Sequence, residues 1–228
     1  MVTWRAASAG TGARLFHPDP AVRLEAAVRL GPRARRAQLA RAGGWPEHSP
    51  GAVNAWLLLV TTKPPTWREP LLVWPEEPPT LGRAHPGFFY PDPLGFWAEV
   101  RRWAAVLVGA RQPGWGAQEA LAVTTLVHVG AEPARFGAMV ALASPRVVLF
   151  LDEAAWAASG LEVTAVEHHH IRDPHRRGQV YEGFWARDDL GRTVGKAPQH
   201  PAAHNLYAAA ELDDFLRARP DPTEPARR

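Results

Sequence analysis

The sequence predicts an α/β domain built on a mostly parallel sheet, and three observations carry that prediction. Trp56–Thr61 and Arg146–Leu151 are short, unbroken apolar runs, the pattern of strands buried on both faces. Between them stand segments of helical period, at Leu94–Gly109 and Pro133–Ala143. Strands that alternate with helices close into a parallel sheet rather than a stack of hairpins.

At 228 residues the chain is long enough for one sizeable core. Its composition, 46% apolar and 21% charged, is that of a folded domain and not of a disordered chain. No apolar run reaches the roughly 18 residues of a membrane-spanning helix, and no charged start with an apolar centre marks a secretory leader. A soluble cytoplasmic protein with no membrane partner is therefore expected. The absence of cysteine excludes disulfides, thiolate metal ligands and thiol nucleophiles.

Taken in order, Asp19-Pro20 reads as an N-cap followed by proline at the first helical position. It opens one amphipathic helix with an Arg-rich face, closed by Gly43-Gly44, in an N-terminal helical extension over residues 1–50. The α/β domain proper is expected over 51–219. Trp56–Thr61 is its first strand, and a Pro-rich, aromatic-rich loop then runs from Pro64 to Pro93. The Leu94–Gly109 helix turns Phe96, Trp97, Val100, Trp103, Ala104 and Leu107 to one side. Glu119–Val129 is apolar enough for either a strand or a helix. Pro133–Ala143 is a helix, Arg146–Leu151 a second strand, and Ala154–Ser159 a helical turn stopped by Gly160. Glu162–Glu167 is a third strand leading into the run His168-His169-His170-Ile171-Arg172-Asp173-Pro174-His175. Val180–Arg187 is a fourth strand, a Gly191 turn leads to Thr193–Gly195, and Ala209–Arg217 is the last helix. The tail over 220–228 is expected to be disordered.

Of the 26 basic residues only two, Lys63 and Lys196, are lysines. Lys63 stands just past the first buried strand, where two prolines stop the ladder and where open α/β sheets bind ligands. A partly buried lysine can lose its proton and act as base or nucleophile, which arginine cannot. The Arg excess, with a pI of about 9.8, suits a polyanionic partner such as nucleic acid. Ten tryptophans supply core anchors and flat faces on which a base can stack.

Several blocks over roughly residues 53–190 resemble, in order, the uracil-DNA glycosylase superfamily. Val60-Thr61-Thr62-Lys63-Pro64 resembles that family's V-G-x-[D/N/A]-P loop. Phe89-Tyr90-Pro91-Asp92-Pro93-Leu94-Gly95 is similar to its F-x-G-P-x-G stretch, and Val123-Thr124-Thr125-Leu126-Val127-His128 to its I-T-N-V-V-K segment. Pro145–Asp152 is similar to its P-K-V-[apolar]-L-G strand. Asp173-Pro174-His175, followed by Val180-Tyr181-Glu182-Gly183-Phe184-Trp185, resembles its His-Pro-Ser loop and the V-Y-R-G-F-F that follows in some members. Lys63 stands where the family carries a carboxylate or amide and Thr125 where it carries Asn, while the family's His is replaced by Asp173 or displaced to a neighbouring His.

The resemblance implies a single three-layer domain around a four-stranded sheet, acting as a monomer on double-stranded DNA with a flipped base and no cofactor. It implies catalytic roles for Lys63, Asp173, His170 and Asp152. Thr61, Thr62, Phe89, Tyr90, Thr125 and His175 would contact the base, and Arg172, Arg176 and Arg177 the DNA. The altered motifs point to a modified base, such as hydroxymethylated or glucosylated cytosine, and so to a defence against phage DNA. Two other readings compete. His168 and His170 share one face if their strand persists, an H-x-H pair suited to a metal-dependent hydrolase with His175, Asp173 or Glu167. A module that keeps the fold and binds DNA without catalysis is the third.

Overall fold

A computed structural model describes residues 13–41, 55–62, 96–109, 124–128, 133–172, 180–199, 201 and 209–221. The helices are α1 (Pro20–Val28), α2 (Pro32–Arg41), α3 (Phe96–Gly109), α4 (Pro133–Ala143), α5 (Glu153–Ser159) and α6 (Ala209–Arg217). The strands are β1 (Leu57–Thr61), β2 (Thr124–His128), β3 (Val147–Phe150), β4 (Val163–Arg172), β5 (Val180–Asp188) and β6 (Thr193–Lys196). They form one sheet in the order β2-β1-β3-β6-β5-β4. The first four of these run parallel, while β5 is antiparallel to both β6 and β4.

The expected α/β class and mostly parallel sheet are therefore present, but the sheet has six strands and not four. One of the two extra strands is β2, from the segment whose apolar run fits strand and helix equally. The other is β6, where Gly195 argues against a central strand. The reason for that glycine is steric: a Cβ at Gly195 would lie 2.3 Å from Cζ3 of Trp185, whose indole covers the position. Trp185 is in turn stacked on Phe215, with centroids 5.1 Å apart, and its Nε1 donates to the Phe215 carbonyl at 2.8 Å. A single indole thus joins β5, β6 and α6.

Every residue of β1 and β3 is buried, as continuous apolar strands require. Leu57, Leu59, Val147 and Leu149 face a core completed by Val100, Trp103 and Leu107 of α3 and by Leu212 and Phe215 of α6. Leu58, Val60, Val148 and Phe150 face the other way, toward Phe136 and Met139 of α4 and Ala155 of α5. Helices on both faces make three layers. Leu15, Ala26 and Ala27 join that second core, so the N-terminal helices extend it rather than standing apart.

The expected single N-terminal helix is two. Asp19 caps α1 as anticipated, its carboxylate accepting from the Ala21 amide at 2.8 Å. Pro32, however, disfavours helical geometry at Gly31 and starts a new helix. Arg35 is 9% exposed and donates from Nε to the Ala27 carbonyl at 2.8 Å, so part of the basic face joins the two helices instead of facing solvent. The foot of the expected tail is also tied down. Thr193 Oγ1 donates to the Pro220 carbonyl at 2.9 Å, and Arg219 lies 5.1 Å from the Trp56 ring.

Gly195→Ala must displace the Trp185 indole or the backbone beneath it. We expect a loss of about 1–3 kcal/mol, the usual cost of overpacking a filled core, read as a lower urea midpoint. An unchanged midpoint would show that the indole does not occupy this position.

Candidate functional site

In open α/β sheets ligands bind beyond the carboxyl ends of the strands, at the point where strand order reverses. Here the chain passes from β1 outward to β2, then returns to β3 on the other side of β1. The reversal lies between β1 and β3, and three of the anticipated residues meet there.

Thr61 and Thr62 end β1, and Asp152 follows β3. Asp152 is 8% exposed and is the N-cap of α5. Its Oδ1 accepts from the Ala155 amide at 2.7 Å and from Thr62 Oγ1 at 2.8 Å. Its Oδ2 accepts from Thr61 Oγ1 at 2.8 Å and from the Thr62 amide at 3.0 Å. Burial alone would raise this carboxyl's pKa, but the four hydrogen bonds outweigh it and hold the pKa below the ordinary carboxylate value. A carboxylate has about four lone-pair sites, and all are taken. Asp152 is thus built as a clamp that positions the end of β1, and a poor proton carrier. The hydroxyl protons of Thr61 and Thr62 are committed to it.

The edge continues along β6, β5 and β4. Val60, Phe150, Lys196, Phe184 and His168 lie on one cross-strand row. Lys196 ends β6, and its Nζ lies 2.5 Å from Oε2 of Glu153 in the first turn of α5. The second of the chain's two lysines therefore also marks a carboxyl end of the parallel strands. Its rarity in the composition was the only sequence signal for it.

The histidine run is strand and not loop. β4 extends through Arg172, which pairs with Val180, and its polar residues escape apolar patterning because β4 is an exposed edge. His168 and His170 share one face, as the H-x-H spacing requires. His168 Nδ1 lies 2.5 Å from Glu182 Oε1, and His170 stands directly opposite Glu182. His169 turns to the other face, its ring edge-on to Phe215 at 5.5 Å. As the side chains stand, no three His, Asp or Glu among the described residues are grouped to hold a metal ion.

The anticipated site residues do not all converge. His170 on β4 is four strands from β1, roughly 19 Å at about 4.8 Å per strand. It cannot act with Thr61, Thr62 or Asp152 on one bond. Thr125 sits beside Leu58, three residues short of the Thr61 level, roughly 10 Å below the edge at about 3.3 Å per residue. His128, not Thr125, is the β2 residue level with Thr61. Arg172 is exposed at the end of β4. Lys63, Phe89, Tyr90, Asp173, His175, Arg176 and Arg177 lie outside the described residues. No protein-family model, curated protein or solved structure matches the chain. No helix among the described residues is long and apolar enough to cross a membrane.

Asp152→Ala removes a helix cap and takes from the buried Thr61 and the half-buried Thr62 the carboxylate that accepts from them. A loss of about 2–4 kcal/mol is expected. The pH profile tests the cause. Because the folded pKa lies below the unfolded one, the carboxylate stabilises the fold above the unfolded value of about 3.9. That contribution disappears as the pH falls through the folded pKa. Below about pH 4 the wild-type protein should therefore lose its advantage over the variant in urea midpoint. A gap that stays constant into that range would rule out the ionised clamp.

Proposed function

We propose that the protein is a DNA glycosylase whose substrate base is taken up at the β1–β3 reversal. The observation that carries this reading is the clamped end of β1. Asp152 fixes Thr61 and Thr62 there, and the next residue in the chain is Lys63. A rare lysine one peptide bond beyond a rigid anchor, at the place where open sheets bind ligands, is the kind of support a reactive group needs.

Cleaving an N-glycosidic bond builds positive charge on the sugar and negative charge on the departing base. In this reading the neutral Lys63 amine attacks C1′. The bond from C1′ to the base breaks, its electron pair leaves with the base, and a proton neutralises the base. The attached amine then loses a proton, and its lone pair forms the C1′=N bond as the C1′–O4′ bond breaks. O4′ takes that electron pair and a proton from water, so the opened sugar is held as an iminium that borohydride can reduce. Thr61 and Thr62 support that lysine and do not contact the base. Asp152 positions them, and His170 lies too far along the edge to share the reaction. The order of the motif blocks favours a flipped DNA base as the substrate. Their altered residues favour a modified cytosine over uracil, in the setting of phage defence.

The test is base release from duplexes carrying uracil, cytosine, hydroxymethylcytosine or glucosylated hydroxymethylcytosine, followed by mass spectrometry. Release of a modified cytosine is expected, together with a borohydride-trapped protein–DNA adduct. Lys63→Ala and Lys63→Arg should both abolish the adduct and the release. If Lys63→Arg keeps full release, the residue serves as a cation for phosphate and not as a nucleophile. No release from any duplex, with DNA still bound, would replace this reading by a non-catalytic binding module.

A further inference from the structure

The hairpin of β4 and β5 carries a second set of chemical groups that the glycosylase reading does not use. His168 and His170 are alternate residues of β4 on one face, so their Cα atoms are roughly 6.6 Å apart. Glu182 of β5 is directly across from His170 and already touches His168, at 2.5 Å. The carboxylate thus touches one imidazole and shares a cross-strand position with the residue that carries the other. A cross-strand ion pair would account for His168 and Glu182, but it gives His170 no task. The ladder between β4 and β5 is unbroken from Glu167 to Arg172, with its register shift lying earlier, between Thr164 and Glu167. The three residues therefore stand on a rigid piece of sheet.

The floor beside them is apolar and ordered. Phe184 lies 6.3 Å from the His168 ring and packs edge-on against Trp156 of α5 at 4.9 Å. The neighbouring Lys196 is paired with Glu153 of α5. His168 and Glu182 are about half exposed, at 53% and 50%, and His170 is exposed. Exposed side chains change rotamer freely on short timescales. The three side chains are not grouped as they stand, and binding an ion would require the exposed His170 and its neighbours to change rotamer.

We propose that His168, His170 and Glu182 form a surface site for one divalent transition-metal ion of the zinc class. Two imidazoles and one carboxylate are a donor set that Zn²⁺ accepts at about 2.0–2.2 Å, with water in the remaining position. The ion would tie β4, the exposed edge of the sheet, to β5.

The experiment is calorimetric titration of the full, tag-free chain with Zn²⁺, together with Cu²⁺ electron paramagnetic resonance to count nitrogen donors. One ion per chain and two nitrogen donors are expected. His170→Ala and Glu182→Gln should each weaken Zn²⁺ binding by at least the 10- to 100-fold that loss of even an outer-shell partner costs. His169→Ala, on the opposite face against Phe215, should leave the affinity unchanged. Circular dichroism checks that each variant is folded. Absence of Zn²⁺ binding would overturn the proposal, as would full affinity in a His168→Ala/His170→Ala chain. An equal loss in His169→Ala would do the same. Half an ion per chain with a shift to dimer would also overturn it, because the ion would then bridge two copies.

Discussion

The Asp152 carboxylate is the interaction on which the carboxyl edge of the sheet depends. It accepts four hydrogen bonds, three from the end of β1 and one from the first turn of α5. Two strands and a helix therefore share one buried anion. Its neighbour Glu153 reaches the other way, to Lys196 at the end of β6. Adjacent carboxylates thus brace the parallel strands on both sides of β3. The two braces are unequal. Asp152 is buried, and its bonds are shielded from water, whereas the Glu153 side chain is 71% exposed and its ion pair is worth little by itself.

The amino-terminal side of the same strands needs no such device, because apolar packing there is continuous on both faces. The antiparallel half of the sheet is held differently again. Trp185 lies over Gly195, stacks on Phe215 and hydrogen-bonds its carbonyl. This indole fixes β5 and β6 against α6, and on the opposite face of β5 Trp156 of α5 packs edge-on against Phe184. The polar residues of that face, His168, His170 and Glu182, are exposed.

Much of this was legible in the sequence wherever burial wrote a pattern. Leu57–Thr61 and Val147–Phe150 are apolar throughout, and both are central parallel strands. The cap at Asp19 and the stop at Gly160, with φ of 60°, are local signals that the surrounding fold does not alter. What was missed lacked such a pattern. β4 is polar because it is an edge, so its histidines resembled a loop. β6 contains a glycine whose purpose lies in a tryptophan ten residues earlier in the chain. Pro32 was present to be read, but the Arg spacing on either side of it suggested one helix. In the site, Asp152 could be singled out by its position after a strand. Its role as a saturated clamp could not, because that depends on Thr61 and Thr62, about 90 residues away in the chain.

Strand order also limits how chemistry can be shared. A reacting bond held at the β1–β3 reversal lies within reach of groups that leave β1, β2 and β3. β4 is three strands from β3, roughly 14 Å at about 4.8 Å per strand, which exceeds the reach of one histidine side chain. A mechanism that used His170 together with Lys63 would need the base or the sugar to span that gap, and one glycosidic bond does not. The edge therefore divides into two neighbourhoods with different donors. One is centred on a clamped threonine pair followed by a lysine, the other on two imidazoles and a carboxylate. Lys196 and Glu153 stand between them as a paired and mutually neutralised spacer. The proposed activity at the first and the proposed ion binding at the second can then be tested separately, since no described side chain belongs to both.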